Sequence, residues 1–178
     1  MAEAATLKLI IFGDAGTGKT TLAHRYMTGL YIQDKVTLGV QFHVKKVELA
    51  LDDDRQVSVK IQIWDFGGEK RFRFLLPSYC RGAHGGLFLY DITNKASLDS
   101  VSEWTSLVFE NAGQIPVMLV GAKADLEDER QVSSDEGMEI AKQQDLAGFA
   151  ETSSKTGLNV ESVFETLTRV MFSRLLNQ

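Results

Sequence analysis

The chain has a single cysteine, Cys80, and only two prolines, Pro77 and Pro116, in 178 residues. One cysteine excludes an internal disulfide and leaves a structural zinc site without its ligand set, which suits a reducing cytoplasm. Beside Ser78, Tyr79 and Arg81 it reads as a small buried hydrophobe rather than a reactive thiol. With so little proline, no low-complexity tract and no internal repeat, the sequence offers no seam, and residues 1–178 read as one domain. No apolar run reaches the roughly 18 residues of a membrane span, and no signal-peptide core opens the chain. Positive charge is also short. Lys and Arg number 19 against 24 Asp and Glu, a formal net charge of −5. Without a basic stripe or polybasic tail, the composition argues against nucleic acid or an anionic membrane as a partner. Ala2 in place of Gly and the ending Leu175, Leu176, Asn177, Gln178 encode neither myristoylation nor prenylation.

What is present is a glycine-spaced run, Gly13, Asp14, Ala15, Gly16, Thr17, Gly18, Lys19, Thr20, after an apolar stretch and ahead of residues able to continue as a helix. Glycines let the backbone curl with its N–H groups pointing inward, and the first turn of a following helix adds partial positive charge. Lys19 can reach β- and γ-phosphates, and the Thr20 hydroxyl can ligate Mg²⁺. Residues 14–21, including Thr21, are therefore the expected phosphate-binding set; an ordinary glycine-rich turn is the competing reading.

Residues 7–12 read as a buried strand and 19–27 as the helix that begins inside the phosphate loop. Residues 40–51 and 57–64 read as strands of a hairpin turning at Asp52, Asp53 and Asp54, three acids better suited to a solvent-facing turn than to a cation site. Short apolar runs at 87–90, 116–120 and 149–152 alternate with helical patterns at 97–109, 135–145 and 160–176. In the last of these, Val163, Phe164, Leu167, Val170 and Met171 share one face. This alternation predicts an α/β fold: a mainly parallel six-stranded sheet with one antiparallel edge strand and helices on both faces, a three-layer P-loop architecture with ligands at the carboxyl ends of the strands.

Asp65 follows an apolar strand and precedes Phe66, Gly67 and Gly68. A strand-end carboxylate there can hold Mg²⁺ opposite the Thr20 hydroxyl, and the Gly68 amide can meet a terminal phosphate. Alone, the same residues would describe a strand-ending turn.

Together with the phosphate loop, the segments 37–42, 64–72, 78–85 and 151–155 resemble the Ras superfamily of small GTP-binding proteins, most closely its Rab branch, over nearly the whole chain. The resemblance implies a Mg²⁺-dependent switch that binds GTP or GDP and hydrolyses GTP. Thr37 would join Mg²⁺ and sense the γ-phosphate, and Gly68 would make the matching amide contact. The family's Asn-Lys-x-Asp motif falls on Ala122, Lys123, Ala124 and Asp125, and its Ser-Ala-Lys loop on Ser153, Ser154 and Lys155. Asp125 would read guanine by accepting from N1–H and the 2-amino group, Lys123 would lie along the base, the Ser154 amide would meet O6, and Lys155 would support the ring.

Two departures stand out. Ala122 removes a side-chain amide that normally bridges the base loop to the phosphate loop, a loss of about 1 to 2 kcal/mol that predicts weaker binding or faster exchange. Glu69 stands where relatives carry the glutamine that orients water, followed by Lys70 where an acid is usual. An ionised carboxylate only accepts hydrogen bonds and adds negative charge beside developing phosphoryl charge, so slow hydrolysis is expected unless Glu69 is protonated, paired with Lys70 or Arg71, or displaced by another group. Lys19, Thr37, Gly68 and Glu69 are thus the catalytic set, with Glu69 equally readable as a salt-bridge residue. A binding module with negligible turnover is the alternative function. Ala15 can crowd an incoming arginine finger, and Tyr31, beside Leu30, is the nearest match to a base-stacking aromatic.

The resemblance also places effector contacts on Phe42, Trp64 and Tyr79, with Phe72, Phe74 and Leu75 as a nucleotide-dependent apolar patch. The expected partners are an activating protein, an exchange factor and effectors acting on a monomer. The location is cytoplasmic, with membranes reached through partners or through a lipidated tail beyond Gln178. The other readings of this C-terminus are a regulator without an anchor and a divergent relative, archaeal or otherwise, that needs no prenyl group.

Overall fold

A computed structural model describes residues 3–33 and 39–178. Strand β1 (Glu3–Phe12) leads through the phosphate loop into helix α1 (Lys19–Thr28), and β2 (Val40–Ala50) and β3 (Gln56–Phe66) form a hairpin. A 3-10 turn (Lys70–Leu75) and the short α2 (Leu76–Cys80) lead to β4 (Gly85–Asp91). Then come α3 (Lys95–Asp99), α4 (Val101–Ala112), β5 (Val117–Ala122), α5 (Ser134–Gln143), β6 (Gly148–Glu151) and α6 (Val160–Leu176). The strand order is β2-β3-β1-β4-β5-β6. Only β2 runs antiparallel, as the edge partner of β3. The expected three-layer fold is present.

Period-two alternation divides the core between the two faces of the sheet. Leu7, Leu9 and Ile11 of β1 pack with Leu22 and Tyr26 of α1 and with Val163, Phe164 and Leu167 of α6. Ile10 and Phe12 point to the other face, among Phe88, Tyr90, Leu119 and the wholly buried Trp104 of α4. Consecutive β-strand residues of β1 thus supply both layers. Because β1 pairs with β3 on one side and β4 on the other, the chain leaves the sheet where the strand order reverses, the place where parallel α/β sheets bind ligands.

Several boundaries differ from the sequence pattern. The helical run expected over 97–109 is two helices that meet at Ser100, which sits in the helical region (φ −78°, ψ −1°) as the last cap of α3 and the first of α4. Strand β3 continues through Asp65 to Phe66 because β2 pairs with it along its whole length, Val40 opposite Phe66. The acidic hairpin turn is a turn: Asp54 adopts φ 63° and Arg55 pairs with Asp53 at 2.7 Å. Cys80 is fully buried, and burial pushes its thiol up to about 11.

The β1–β4 ladder is extended by a side chain. The Lys8 N–H donates to His84 Nδ1 at 2.9 Å, while the His84 N–H donates to the Lys8 carbonyl at 2.8 Å. Only a neutral imidazole can accept that bond. Burial, with the nearby Lys8 ammonium, holds His84 below its usual value in the folded chain. A base with a depressed folded pKa contributes stability that is intact above the unfolded value of about 6.5 and is lost as pH falls toward the folded one. Urea unfolding should therefore show a larger drop in midpoint between pH 7.5 and pH 5 for the wild type than for His84→Gln, and identical pH profiles would count against it.

Candidate functional site

The loop between β1 and α1 wraps around an anion-sized cradle. Gly13, Gly16 and Gly18 have φ of 140°, 78° and 98°, a backbone path that L side chains rarely follow. A Cβ on Gly13 would also lie 2.4 Å from the Leu89 carbonyl. Helix α1 starts at Lys19 with no side-chain cap and no acid in its first turn, so its first N–H groups face the loop. Lys19, only 5% exposed, donates Nζ to the Asp14 carbonyl at 2.7 Å, and Thr17 Oγ1 donates to the same carbonyl at 3.0 Å. Burial drags the Lys19 ammonium down to about 8 against the pull of the Asp65 and Asp14 carboxylates. A buried ammonium beside an uncapped helix start is a site that an anion stabilises.

At the end of β3, Asp65 Oδ2 accepts from Thr20 Oγ1 at 2.6 Å. Two hard oxygen donors from separate elements suit Mg²⁺, which binds through one or two protein oxygens plus substrate phosphates and water. Among the described residues no group of three or more His, Cys, Asp or Glu could hold a metal by itself. Thr37, the third expected ligand, lies outside the described residues. Gly68 packs directly on the phosphate loop: a Cβ there would stand 2.2 Å from the Ala15 nitrogen and 2.4 Å from the Asp14 carbonyl carbon.

The base loop follows β5. Lys123 takes φ 65°, and its Nζ donates to the Gly16 carbonyl at 2.9 Å and to Asp91 Oδ2 at 2.7 Å. Asp125 is exposed at the cleft and accepts from Ser153 Oγ at 2.7 Å, while Ser153 itself is buried. Ser154 and Lys155 close the far wall. Together these segments enclose a cleft of about 640 Å³ lined by Ala15, Gly16, Gly18, Lys19, Thr20, Thr21, Gly68, Lys123, Asp125, Ser154 and Lys155, with Tyr31, Gln33, Ala122 and Leu126 completing it. Asp14, Thr17, Asp65 and Ser153 stand behind this wall as supports. Asp14 turns its carboxylate outward, where Oδ1 accepts from Trp104 Nε1 at 2.8 Å.

Glu69 is not part of the lining. It pairs with Arg71 Nε at 2.5 Å at the start of the 3-10 turn. Arg73 on the same turn lies 4.5 Å from the Trp104 ring, pairs with Glu103 and approaches Asp14 at 3.9 Å. On the adjoining face, Phe42, half exposed, packs edge-on against Trp64 at 5.3 Å, and Trp64 meets Tyr79 at 5.5 Å. Phe72 lies under Arg71 at 4.8 Å and lines a shallow dent with Leu75, Leu76 and Tyr79. Sequence reasoning missed Asp91, Gln33 and Leu126. For Asp91 the available signal was an acid at a strand end, as at Asp65.

A glycine cradle, a buried lysine, a hydroxyl–carboxylate pair and an acid-bearing base loop, all at one end of a parallel sheet, match a known assembly. Residues 8–173 match the family described as the Ras family. The chain belongs to that family, on its Rab-like branch. It is 40% identical over 165 residues to "GTP-binding protein ypt2" of Schizosaccharomyces pombe, covering 92% of this chain and 80% of the relative. It is 38% identical over 170 residues to "Ras-related protein Rab-8B" of Homo sapiens, covering 94% and 79%. It is 38% identical over 167 residues to "Ras-related protein Rab-1" of Theileria parva, covering 92% and 73%. None of these three is archaeal, so the expectation of an archaeal origin gains no support from them. Rab-like membership carries with it a nucleotide-binding switch function, and no helix among the described residues is long and apolar enough to cross a membrane.

Proposed function

We propose that this chain binds GTP and GDP with Mg²⁺, hydrolyses GTP slowly, and signals its nucleotide state through the segments around 32–42 and 66–80. The observation that carries this reading is the convergence of the phosphate loop, Gly68, Lys123, Asp125, Ser154 and Lys155 on one cleft, with Asp65 behind it against Thr20. Thr20 and Asp65, with Thr37 as a further ligand, would hold Mg²⁺, which would supply charge neutralisation for the phosphates. Lys19 and the loop amides bind the transferred phosphoryl oxygens, and the Gly68 amide contacts the terminal one. Asp125 accepts from the guanine edge, with Lys123 along the base and the Ser154 amide at O6. Water attacks in line, and Glu69 is the group nearest in sequence to orient it.

Glu69 is ion-paired with Arg71, which offsets its charge, so slow turnover rests on the carboxylate bringing no hydrogen-bond donor to the transferred phosphoryl group. If Glu69 limits a competent site, Glu69→Gln restores a group that both donates and accepts and raises single-turnover phosphate release about tenfold. If neither protein releases phosphate above background with any activator, the chain is a guanine-nucleotide-dependent binding module without turnover. An activating protein, an exchange factor and effectors are the partners this reading implies, with Phe42, Trp64, Phe72 and Tyr79 as the effector surface of a monomer. Its place is the cytoplasm, peripheral to membranes.

A further inference from the structure

The last residue of β4, Asp91, stands opposite Ala122 in the β4–β5 register. Its side chain is nearly buried, 7% exposed for the whole residue, and both carboxylate oxygens are engaged. Oδ1 accepts from the Thr93 N–H at 2.8 Å and the Thr93 hydroxyl at 2.7 Å, which fixes the carboxylate's orientation. Oδ2 accepts from Lys123 Nζ at 2.7 Å. From there the ammonium donates a second bond to the Gly16 carbonyl, and the lysine stem runs past Gly18, where an added Cβ would stand 4.0 Å from Lys123 Cε, an ordinary contact. One carboxylate thus anchors a side chain that spans the end of β4, the base loop and the phosphate loop.

That span covers a gap. Ala122 offers no side-chain amide to join the base loop to the phosphate loop, and the buried Thr152 hydroxyl, just after β6, has no hydrogen-bond partner among the described residues. Lys123 is held in a left-handed backbone conformation that non-glycine residues adopt at a cost. Its ammonium is directed by two acceptors, the Asp91 carboxylate and the Gly16 carbonyl, of which only Asp91 carries charge.

We propose that Asp91 is a positioning residue for nucleotide retention: it fixes Lys123 across the phosphate loop and takes over the tether that Ala122 cannot make. The assignment rests on the guanine-nucleotide reading above. Asp91→Asn keeps an oxygen for Thr93 and presents an amide donor to the ammonium, so it removes the anchor with little change in shape. Release of a fluorescent GDP analogue from Asp91→Asn should be about 10- to 100-fold faster than from the wild type, as for a lost hydrogen bond to a charged group. In a Lys123→Met background the same substitution should add less than about twofold, because the two residues act as one unit. Asp91→Glu, which keeps the charge, should recover part of the retention; if Asp91→Asn does not fold, Lys123→Met alone must release GDP faster than the wild type, and release at the wild-type rate would overturn the proposal. A purely structural Asp91 would leave its effect undiminished in the Lys123→Met background, and that result overturns the proposal. So does release from Asp91→Asn at the wild-type rate while the wild type binds GDP. If the wild type binds no GDP at all, the guanine-nucleotide reading itself fails and the assignment falls with it; that outcome is distinguished by the wild-type measurement alone.

Discussion

Asp125→Asn is expected to lower the affinity for GDP by about 10³-fold or more and to favour xanthosine diphosphate over it. The Ser153 hydroxyl donates to Asp125 Oδ1, so an asparagine satisfies that bond only with its carbonyl oxygen toward Ser153. Its amide N–H₂ then faces the base, where guanine presents two donors, N1–H and the 2-amino group. Donor opposite donor leaves polar groups unpaired in a cleft that the base closes, and sites built to hydrogen-bond a substrate reject the wrong partner by about 10⁴ to 10⁵. Xanthine carries an oxo group at position 2 and accepts from the same amide. Displacement of a fluorescent GDP analogue by GDP, xanthosine diphosphate and ADP measures the order directly. An asparagine variant that still prefers GDP would remove Asp125 from base recognition.

The phosphate loop and its flanking elements were legible because glycine spacing and an apolar-to-helical change of period are local signals. Asp65 was legible for the same reason, as an acid closing an apolar run. What decides the neighbouring geometry is not local. Strand β3 runs to Phe66 because β2 pairs with it to its end, and β1 begins at Glu3 because it continues beside Ser58. The 3-10 turn over Lys70–Leu75 has no helical period to read; it is held by Arg73 against Trp104 and Glu103, residues of a helix some thirty positions on. Glu69 could be weighed only as water-orienting or ion-paired until its Arg71 contact was seen, and Asp91 acquires a role only from its register with Ala122 and its reach to Lys123.

Gly68→Ala tests the link between the phosphate cradle and the segment that follows β3. The three nearest atoms to an added Cβ all belong to the phosphate-loop backbone: the Ala15 nitrogen at 2.2 Å, the Asp14 carbonyl carbon at 2.4 Å and the Gly13 carbonyl oxygen at 2.6 Å. That backbone is fixed by the glycine conformations at 13, 16 and 18 and by the Lys19 and Thr17 bonds to the Asp14 carbonyl, so it yields less readily than the 3-10 turn downstream. The expected result is that residues 67–75 lift away from the cradle. GDP binding, which uses the phosphate loop and the base loop, should change by less than about threefold. Phosphate release should fall by about 10² to 10³, the cost typical of losing one amide aimed at transition-state charge. Since the clash is with the Ala15 backbone and not its methyl group, Ala15→Gly in the same chain should fail to restore the rate. Restoration by Ala15→Gly, or a Gly68→Ala chain that hydrolyses GTP normally, would show that this close packing is not required for turnover.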